Sequence, residues 1–226
     1  MNTTHAQVDR FFTDQLIDDD PALAAALTDS DAARLPEIQV TALQGQQLFL
    51  FARAIGARRI LEIGTLGGYS AIWLARALPP DGRLITLEIE PRHAAVARQN
   101  LDRAGVTDRV EIIEGPALDS LDHLAHDDPA PFDLVFIDAD KENLDAYFTG
   151  AVGLTRPGGV IIADNVVREG AIIDDANDDP RILGVRRLLD LIARTPGVTA
   201  TVTQTVGAKG YDGFLFAVVE GAHEAR

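Results

Sequence analysis

The chain has 226 residues, the usual size of one domain, and a formal net charge of −15. This negative charge, with no basic stripe to offset it, argues against nucleic acid as a partner. The sequence has no cysteine, which excludes disulfide bonds and thiolate-bound metal.

The first residues lack the basic and apolar segments of a secretory signal. No uninterrupted apolar stretch approaches the roughly 18 residues that a membrane span requires. We therefore expect a cytoplasmic protein that does not span a membrane.

The first part of the chain is predicted to be helical. Three candidate helices, HAQVDRFFTDQLI, PALAAALTDSDAA and TALQGQQLFLFARAIG, are separated by Pro21 and Pro36. No linker is long enough to divide the chain into separate domains. We expect a single domain, with a helical segment at 1–56 followed by an α/β core at 57–226.

The core is predicted to alternate strands and helices, which is typical of a parallel sheet covered on both faces. Five apolar runs are candidate strands, namely RRILEIG, RLITLEI, RVEII, FDLVFID and GGVIIADNV. Two β-rich runs near the end, VTATVTQTVG and GFLFAVVE, are close enough to form an antiparallel hairpin. The pattern predicts a mixed sheet of about seven strands with one reversed strand at an edge.

A glycine-rich turn follows the first strand in LEIGTLGGYSA. Gly64, Gly67 and Gly68 allow a ligand to approach the backbone, and the next helix directs its N-terminus at it. Glu88 ends the second strand, 24 residues after Gly64, where an acid commonly accepts hydrogen bonds from ribose hydroxyls. The spacing differs from G-x-G-x-x-G, so we predict a nucleoside-containing ligand without a pyrophosphate. A purely structural turn, and Glu90 as the acid, are the alternatives.

Oxygen-bearing side chains end the fourth and fifth strands, which should be neighbours in this sheet. Asp138 ends one strand, and Asp164 and Asn165 end the other. Two carboxylates and an amide oxygen suit Mg²⁺ or Ca²⁺ better than Zn²⁺. The alternative is that these residues only cap a helix and form a turn.

Lys141 lies three residues after Asp138 and could act on a proton. A nearby divalent cation would disfavour its ammonium form and make it a usable base. The alternative is a surface lysine paired with Glu142 or Asp145.

Five segments resemble the cation-dependent O-methyltransferases, which include the caffeoyl-CoA and catechol O-methyltransferases. These segments are ILEIGTLGGYSAIWLA, TLEIEP, FIDADKENLDAY, GGVIIADNV and QTVGAKGYDGF, and the resemblance runs from about 36 to 219. It implies the Rossmann-like fold of methyltransferases that use S-adenosylmethionine, with the helical segment at 1–56 as a lid. It also implies a homodimer, a divalent cation such as Mg²⁺, Ca²⁺ or Mn²⁺, and a small phenolic substrate.

The same resemblance implies roles for individual residues of this chain. Glu62, Gly64 and Ser70 would lie near the methionine part of the cofactor, and Glu88 would hold the ribose. Ile89 and Ala117 would border the adenine. Val40 would close over the cofactor from the lid, and Asp138 would also border the cofactor. Asp138, Asp164 and Asn165 would bind the metal, and Lys141 would be the catalytic base. Two residues depart from the pattern of many relatives, Gln44 in place of a glutamate and Pro116 in place of an aspartate, and they put one lid contact and the adenine contacts in doubt.

The predicted function is therefore methyl transfer from S-adenosylmethionine to one hydroxyl of a catechol-type aromatic. A nucleotide-dependent oxidoreductase is one alternative, against which the glycine spacing argues. A binding module of the same fold that lacks activity is the other.

Overall fold

The computed structural model describes residues 3–127 and 130–220. The chain begins with helices α1 (Thr3–Leu16), α2 (Pro21–Ala32) and α3 (Ala42–Ala54). Asp20 starts α2 because its carboxylate accepts hydrogen bonds from two free backbone N–H groups of the first turn. Thr41 starts α3 in a capping box with Gln44, each side chain accepting from the other's backbone N–H.

The core then alternates strands with helices, as predicted. The strands are β1 (Arg59–Ile63), β2 (Arg83–Glu88), β3 (Val110–Glu114), β4 (Phe132–Ile137), β5 (Thr155–Asp164), β6 (Val198–Gly207) and β7 (Gly210–Val219). The helices are α4 (Tyr69–Ala77), α5 (Pro91–Arg103), α6 (Ala117–Asp127), α7 (Leu144–Leu154) and α8 (Pro180–Ile192), with short 3₁₀ turns at Thr107–Arg109 and Arg168–Ile173.

The seven strands form one sheet in the order β3-β2-β1-β4-β5-β7-β6. Strands β1 to β5 are parallel, and β7 runs antiparallel to both β5 and β6. The predicted hairpin and the predicted seven-stranded mixed sheet are confirmed. The reversed strand is β7, and it lies one position inside the edge, which β6 occupies.

Both faces of the sheet are buried, because alternate residues of the central strands pack on opposite layers. Leu134 and Phe136 face the layer of α4 and the lid helices, whereas Val135 and Ile137 face the layer of α6, α7 and α8. Burial on both faces explains why these strands are continuous apolar runs rather than alternating ones.

Within the described ranges, no helix is both long enough and apolar enough to cross a membrane. The cytoplasmic location and the single-domain organisation stay predictions from the sequence.

Candidate active site

The strand register brings the predicted site residues to one level of the sheet. Ile63 of β1 pairs with Ile137 of β4, and Ile137 pairs with Ala163 of β5. The residues that follow these three, Gly64, Asp138 and Asp164, therefore leave the sheet side by side. The strand order reverses between β1 and β4, which is where parallel sheets of this type bind ligands.

A cavity of about 480 Å³, here called the first cavity, opens at this reversal. That volume is within the range of small-molecule sites. Nine of the predicted residues line it, namely Val40, Gly64, Ser70, Glu88, Ile89, Ala117, Asp138, Lys141 and Asn165. The structure thus brings together side chains from the lid and from the ends of β1, β2, β4 and β5.

The glycine turn has left-handed backbone at Gly64 (φ 102°) and Gly68 (φ 82°). A side chain at position 64 would also collide with the carbonyl oxygen of Asp138, because the ends of β1 and β4 nearly touch. Gly67 has a different role, since a side chain there would strike Ser30 of α2. Only part of the turn faces the cavity, and the rest allows the lid to pack closely.

Glu88 holds the glycine turn in place as well as facing the cavity. Its Oε2 accepts hydrogen bonds from the backbone N–H groups of Thr65 (3.2 Å) and Leu66 (2.7 Å). Its Oε1 accepts one from the N–H of Glu90 (2.9 Å) and lies 3.4 Å from His93 Nδ1. Leu66 has a positive φ of 50°, so this carboxylate supports a conformation that a leucine rarely adopts.

Glu62 lies behind the cavity wall and does not line the cavity. Its side chain is fully buried, and Oε2 accepts a hydrogen bond from the Thr86 hydroxyl (2.6 Å). Burial raises the pKa of Glu62 from 4.5 to about 7, although the hydroxyls of Ser70 and Thr86 partly oppose this. A role near the methionine part of a cofactor would have to act through Ser70, which does line the cavity.

The predicted metal ligands are close enough to influence one another. Asp164 is buried, and its pKa is raised to about 7, first by burial and then by the charge of Asp138. Two carboxylates that repel each other in this way are suited to bind a cation, which would neutralise the charge of both. No three His, Cys, Asp or Glu side chains of the described ranges form a metal cluster, so the third ligand would be the amide of Asn165. That donor set suits Mg²⁺ or Ca²⁺.

Lys141 is buried and pairs with Asp138, its Nζ lying 3.2 Å from Oδ1. This contact excludes the alternative of a surface lysine paired with Glu142 or Asp145. Helix α8 fixes the lysine backbone, because Gly184 lets α8 approach the Lys141 carbonyl more closely than any side chain would allow.

A second cavity of about 650 Å³ adjoins the first. The residues common to both linings are Ile38, Gln39, Val40, Asn165 and Arg168. Asp164 lines the second cavity but not the first. The candidate metal ligands therefore lie where the two cavities meet.

The hairpin tip between β6 and β7 fixes the lid above these cavities. Lys209 donates hydrogen bonds to the carbonyl oxygens of Glu37 (3.4 Å) and Gln39. Asp9 of α1 accepts a hydrogen bond from the Ala208 N–H (2.7 Å). The hairpin tip thus contacts both α1 and the segment that precedes Val40.

The structure also shows what the two departures do. Gln44 closes the capping box of α3, so its side chain is used at the start of its own helix. Pro116 lines a groove beside β3, whereas its neighbours Gly115 and Ala117 line the first cavity. The substitution at 116 thus leaves the first cavity formed by its neighbours.

Several lining residues were not predicted from the sequence. His93 contacts Glu88, and Tyr147 donates a hydrogen bond to Asp140 (2.5 Å). Burial and the Asp140 carboxylate raise the pKa of Tyr147. Arg168 lines both cavities. The sequence could have indicated His93 and Tyr147, because each lies near the start of a helix that follows a strand ending at the site. His93 is in α5, which follows β2, and Tyr147 is in α7, which follows β4.

Comparison with known proteins places this arrangement in context. A family model described as O-methyltransferase matches residues 16–211. A protein of Mycobacterium tuberculosis named catechol O-methyltransferase is 58% identical over 212 residues, covering 94% of each chain. The structure of an O-methyltransferase from Bacillus cereus in complex with S-adenosylhomocysteine has a TM-score of 0.96, with 53% identity and coverage of 97% of this chain and 100% of that one. An O-methyltransferase of Streptomyces achromogenes involved in tomaymycin synthesis, solved with S-adenosylmethionine, has a TM-score of 0.94, with 50% identity and coverage of 98% and 100%.

Proposed function

Because this chain belongs to the O-methyltransferase family, we propose that it methylates one hydroxyl of a catechol-type phenol, using S-adenosylmethionine and a divalent cation. The observation that carries the proposal is the register that sets Gly64, Asp138 and Asp164 side by side between two joined cavities. The relative named catechol O-methyltransferase supports the choice of substrate class.

The first cavity is proposed to bind S-adenosylmethionine, which supplies an electrophilic methyl group when bound. Relatives about half identical to this chain were solved with that molecule or its demethylated product. Ser70 and the turn at Gly64 offer polar groups and close backbone for the methionine part. Glu88 and His93 offer a polar edge for the ribose, while Ile89 and Ala117 offer apolar surface for the adenine.

Asp138, Asp164 and Asn165 are proposed to hold a divalent cation, with Mg²⁺ the first candidate. A cation bound there would lower the pKa of a chelating phenol and would fix two vicinal oxygens. Because these ligands lie where the two cavities meet, a cation held by them would bring acceptor hydroxyls in the second cavity next to a methyl donor in the first.

Lys141 is proposed to take the proton of the hydroxyl that is methylated. Its Nζ lies beside the Asp138 carboxylate, which places it next to any group that Asp138 helps to bind. Burial of the lysine keeps bulk water away from this point. Val40 lines both cavities, and Lys209 holds the segment before it through two lid carbonyl groups. The same lid segment therefore covers part of both cavities.

The test is product analysis by mass spectrometry, with Mg²⁺, isotope-labelled S-adenosylmethionine and catechol. We expect one labelled methyl group on catechol, loss of turnover in EDTA, and recovery when Mg²⁺ is restored. Phenol, which has one hydroxyl, is the matched control and should react far more slowly. Equal turnover of phenol and catechol would contradict a role for the cation. Full activity in EDTA, with the protein shown to be free of metal, would contradict it as well.

The competing functions can be separated by measuring ligand binding and catechol turnover. S-adenosylhomocysteine should raise the melting temperature of the protein, whereas NAD should not. A shift with NAD alone would favour an oxidoreductase. Binding of S-adenosylhomocysteine without turnover of any catechol would favour a binding module.

We also propose that the enzyme is a homodimer. Phe11 and Leu16 of α1 are each 61% exposed, and Val206 of the edge strand β6 is 53% exposed, so apolar surface is available for a second copy. Sedimentation equilibrium should give twice the monomer mass. A monomer at micromolar concentration would contradict this. The predicted lack of a nucleic-acid partner stays a prediction.

A further inference from the structure

Arg168 is half-buried and lines both cavities where they meet. Its side chain makes no hydrogen bond or ion pair with any residue in 3–127 or 130–220. In a chain with 35 acidic and 20 basic side chains, an arginine in such a position that forms an ion pair with no carboxylate is unexpected. An unpaired, partly buried cation in a cavity wall has the chemistry of a ligand-binding group.

The backbone that presents Arg168 is held in a conformation that costs free energy. Arg168 and Glu169 have φ values of 55° and 56°, in the left-handed region that residues other than glycine rarely adopt. Asp212 of β7 stabilises this segment, because its Oδ1 accepts hydrogen bonds from the N–H groups of Val167 (3.0 Å) and Arg168 (2.9 Å). Strand β7 therefore holds the backbone from which the Arg168 side chain extends.

The other cations of these linings are already engaged. Lys141 pairs with Asp138, and Lys209 donates to lid carbonyl groups. Arg181 holds both oxygens of Asp179, through Nε (3.0 Å) and a terminal nitrogen (2.5 Å). Asp179 is also the carboxylate whose pKa Arg168 helps to lower, after the larger effect of Arg181. Arg168 is thus the cation of the two linings that remains available.

We propose that Arg168 binds an anionic substituent of the acceptor, so that the preferred substrate is a catechol that carries a carboxylate. This inference rests on the proposed function, because it assumes that the acceptor occupies the second cavity. A guanidinium offers a planar pair of donors that matches a carboxylate, which a neutral or cationic substituent cannot use.

The carboxylates of the second cavity do not oppose such a ligand strongly. Asp212 and Asp9 accept backbone N–H groups, which offset part of their charge. Asp164 belongs to the proposed metal set, and Glu37 is exposed to solvent. Arg168 therefore places a positive charge in a wall whose carboxylates are engaged by other groups or lie in solvent.

The test compares two catechols of the same shape, 3,4-dihydroxybenzoate and its neutral amide, 3,4-dihydroxybenzamide. Wild type should prefer the benzoate in kcat/KM. Arg168→Gln should lower kcat/KM for the benzoate about 10-fold to 100-fold, the range for loss of a charged hydrogen bond, and change the amide less than about 3-fold. The kcat/KM of Arg168→Lys for the benzoate should lie between the values of wild type and Arg168→Gln. Arg181→Gln, which removes an arginine already paired with Asp179, should leave the ratio of the two substrates unchanged.

Calorimetric titration gives a readout that does not depend on turnover. Benzoate affinity in the presence of Mg²⁺ and S-adenosylhomocysteine should fall in Arg168→Gln while amide affinity is kept. Equal losses for both compounds, or no loss, would overturn the proposal. Weaker binding of S-adenosylhomocysteine itself would also overturn it, by assigning Arg168 to the cofactor. Wild type that binds the benzoate through Arg168 but methylates neither compound would refute the proposed function and leave this subsite standing.

Discussion

Replacing Glu62 by glutamine should make the free protein more stable above neutral pH. Glu62 is fully buried, and its pKa is raised from 4.5 to about 7, mainly by burial. Its contribution to stability is therefore fully present below pH 4.5, where both the folded and unfolded states bind the proton. It is lost as the pH rises towards 7, because only the unfolded chain releases that proton easily.

The size of the effect follows from the two pKa values. The difference between 4.5 and about 7 corresponds to about 3 kcal/mol, at about 1.4 kcal/mol for each pH unit. Glutamine keeps the shape of the side chain and an oxygen that can accept from Thr86, and it replaces the ionisable carboxyl by an amide whose NH2 stands where the second carboxyl oxygen was. We expect Glu62→Gln to match wild type near pH 5 and to exceed it by up to about 3 kcal/mol at pH 8.

The assay is urea unfolding at pH 5 and pH 8 without cofactor or metal, with equal m-values required for the comparison. Glu90→Gln is the matched control, since it makes the same chemical change at a carboxylate that is exposed to solvent. A difference between Glu62→Gln and wild type that is the same at both pH values, or that favours wild type at pH 8, would refute the reasoning.

The remaining predictions concern catalysis and the support of the site. Lys141→Ala should keep Mg²⁺ and S-adenosylhomocysteine affinity in calorimetry but lower kcat about 10²-fold to 10⁴-fold at pH 7, with partial rescue at higher pH; a wild-type rate with chemistry rate-limiting would contradict its role as base. Asp138→Ala should lose Mg²⁺ and catechol binding together, and loss of one without the other would separate their sites. Glu88→Gln should weaken S-adenosylhomocysteine binding at least about 10-fold in calorimetry, and unchanged affinity would restrict Glu88 to holding the turn. Asp212→Ala, which frees the N–H groups of Val167 and Arg168, should lower the free energy of unfolding by about 1–3 kcal/mol in urea, and a neutral effect would show that the loop does not depend on it.

Local patterns in the sequence were sufficient for the fold and for the strand ends of the site. Apolar runs, glycine turns and prolines at helix starts marked the elements, and the predicted fold and the predicted O-methyltransferase family are confirmed. Once β4 and β5 are known to be neighbours, Asp138 and Asp164 must meet, because parallel strands end at the same edge. The assigned roles of these residues stay predictions until they are tested in solution.

Contacts between distant parts of the chain could not be predicted in this way. Asp212 accepts from residues 44 and 45 positions earlier, and Lys209 reaches lid carbonyls about 170 positions earlier. Neither contact leaves a periodic or spacing signal in the sequence. The position of Glu62 was equally hidden, since a strand residue two positions before a site glycine can point either into a cavity or behind its wall.

The hairpin at the end of the chain links the lid to both cavities. Lys209 holds the lid segment before Val40, and Asp212 holds the loop that presents Asn165 and Arg168. Lys209 lies in the turn of the β6–β7 hairpin, and Asp212 lies three positions later, in β7. A change in this part of the hairpin should therefore disturb the cofactor side and the acceptor side together, even though it lies far along the chain from the glycine turn and from Asp138. The seven-stranded sheet brings the ligands together, but it is the hairpin of β6 and β7 that fixes the segments closing over them.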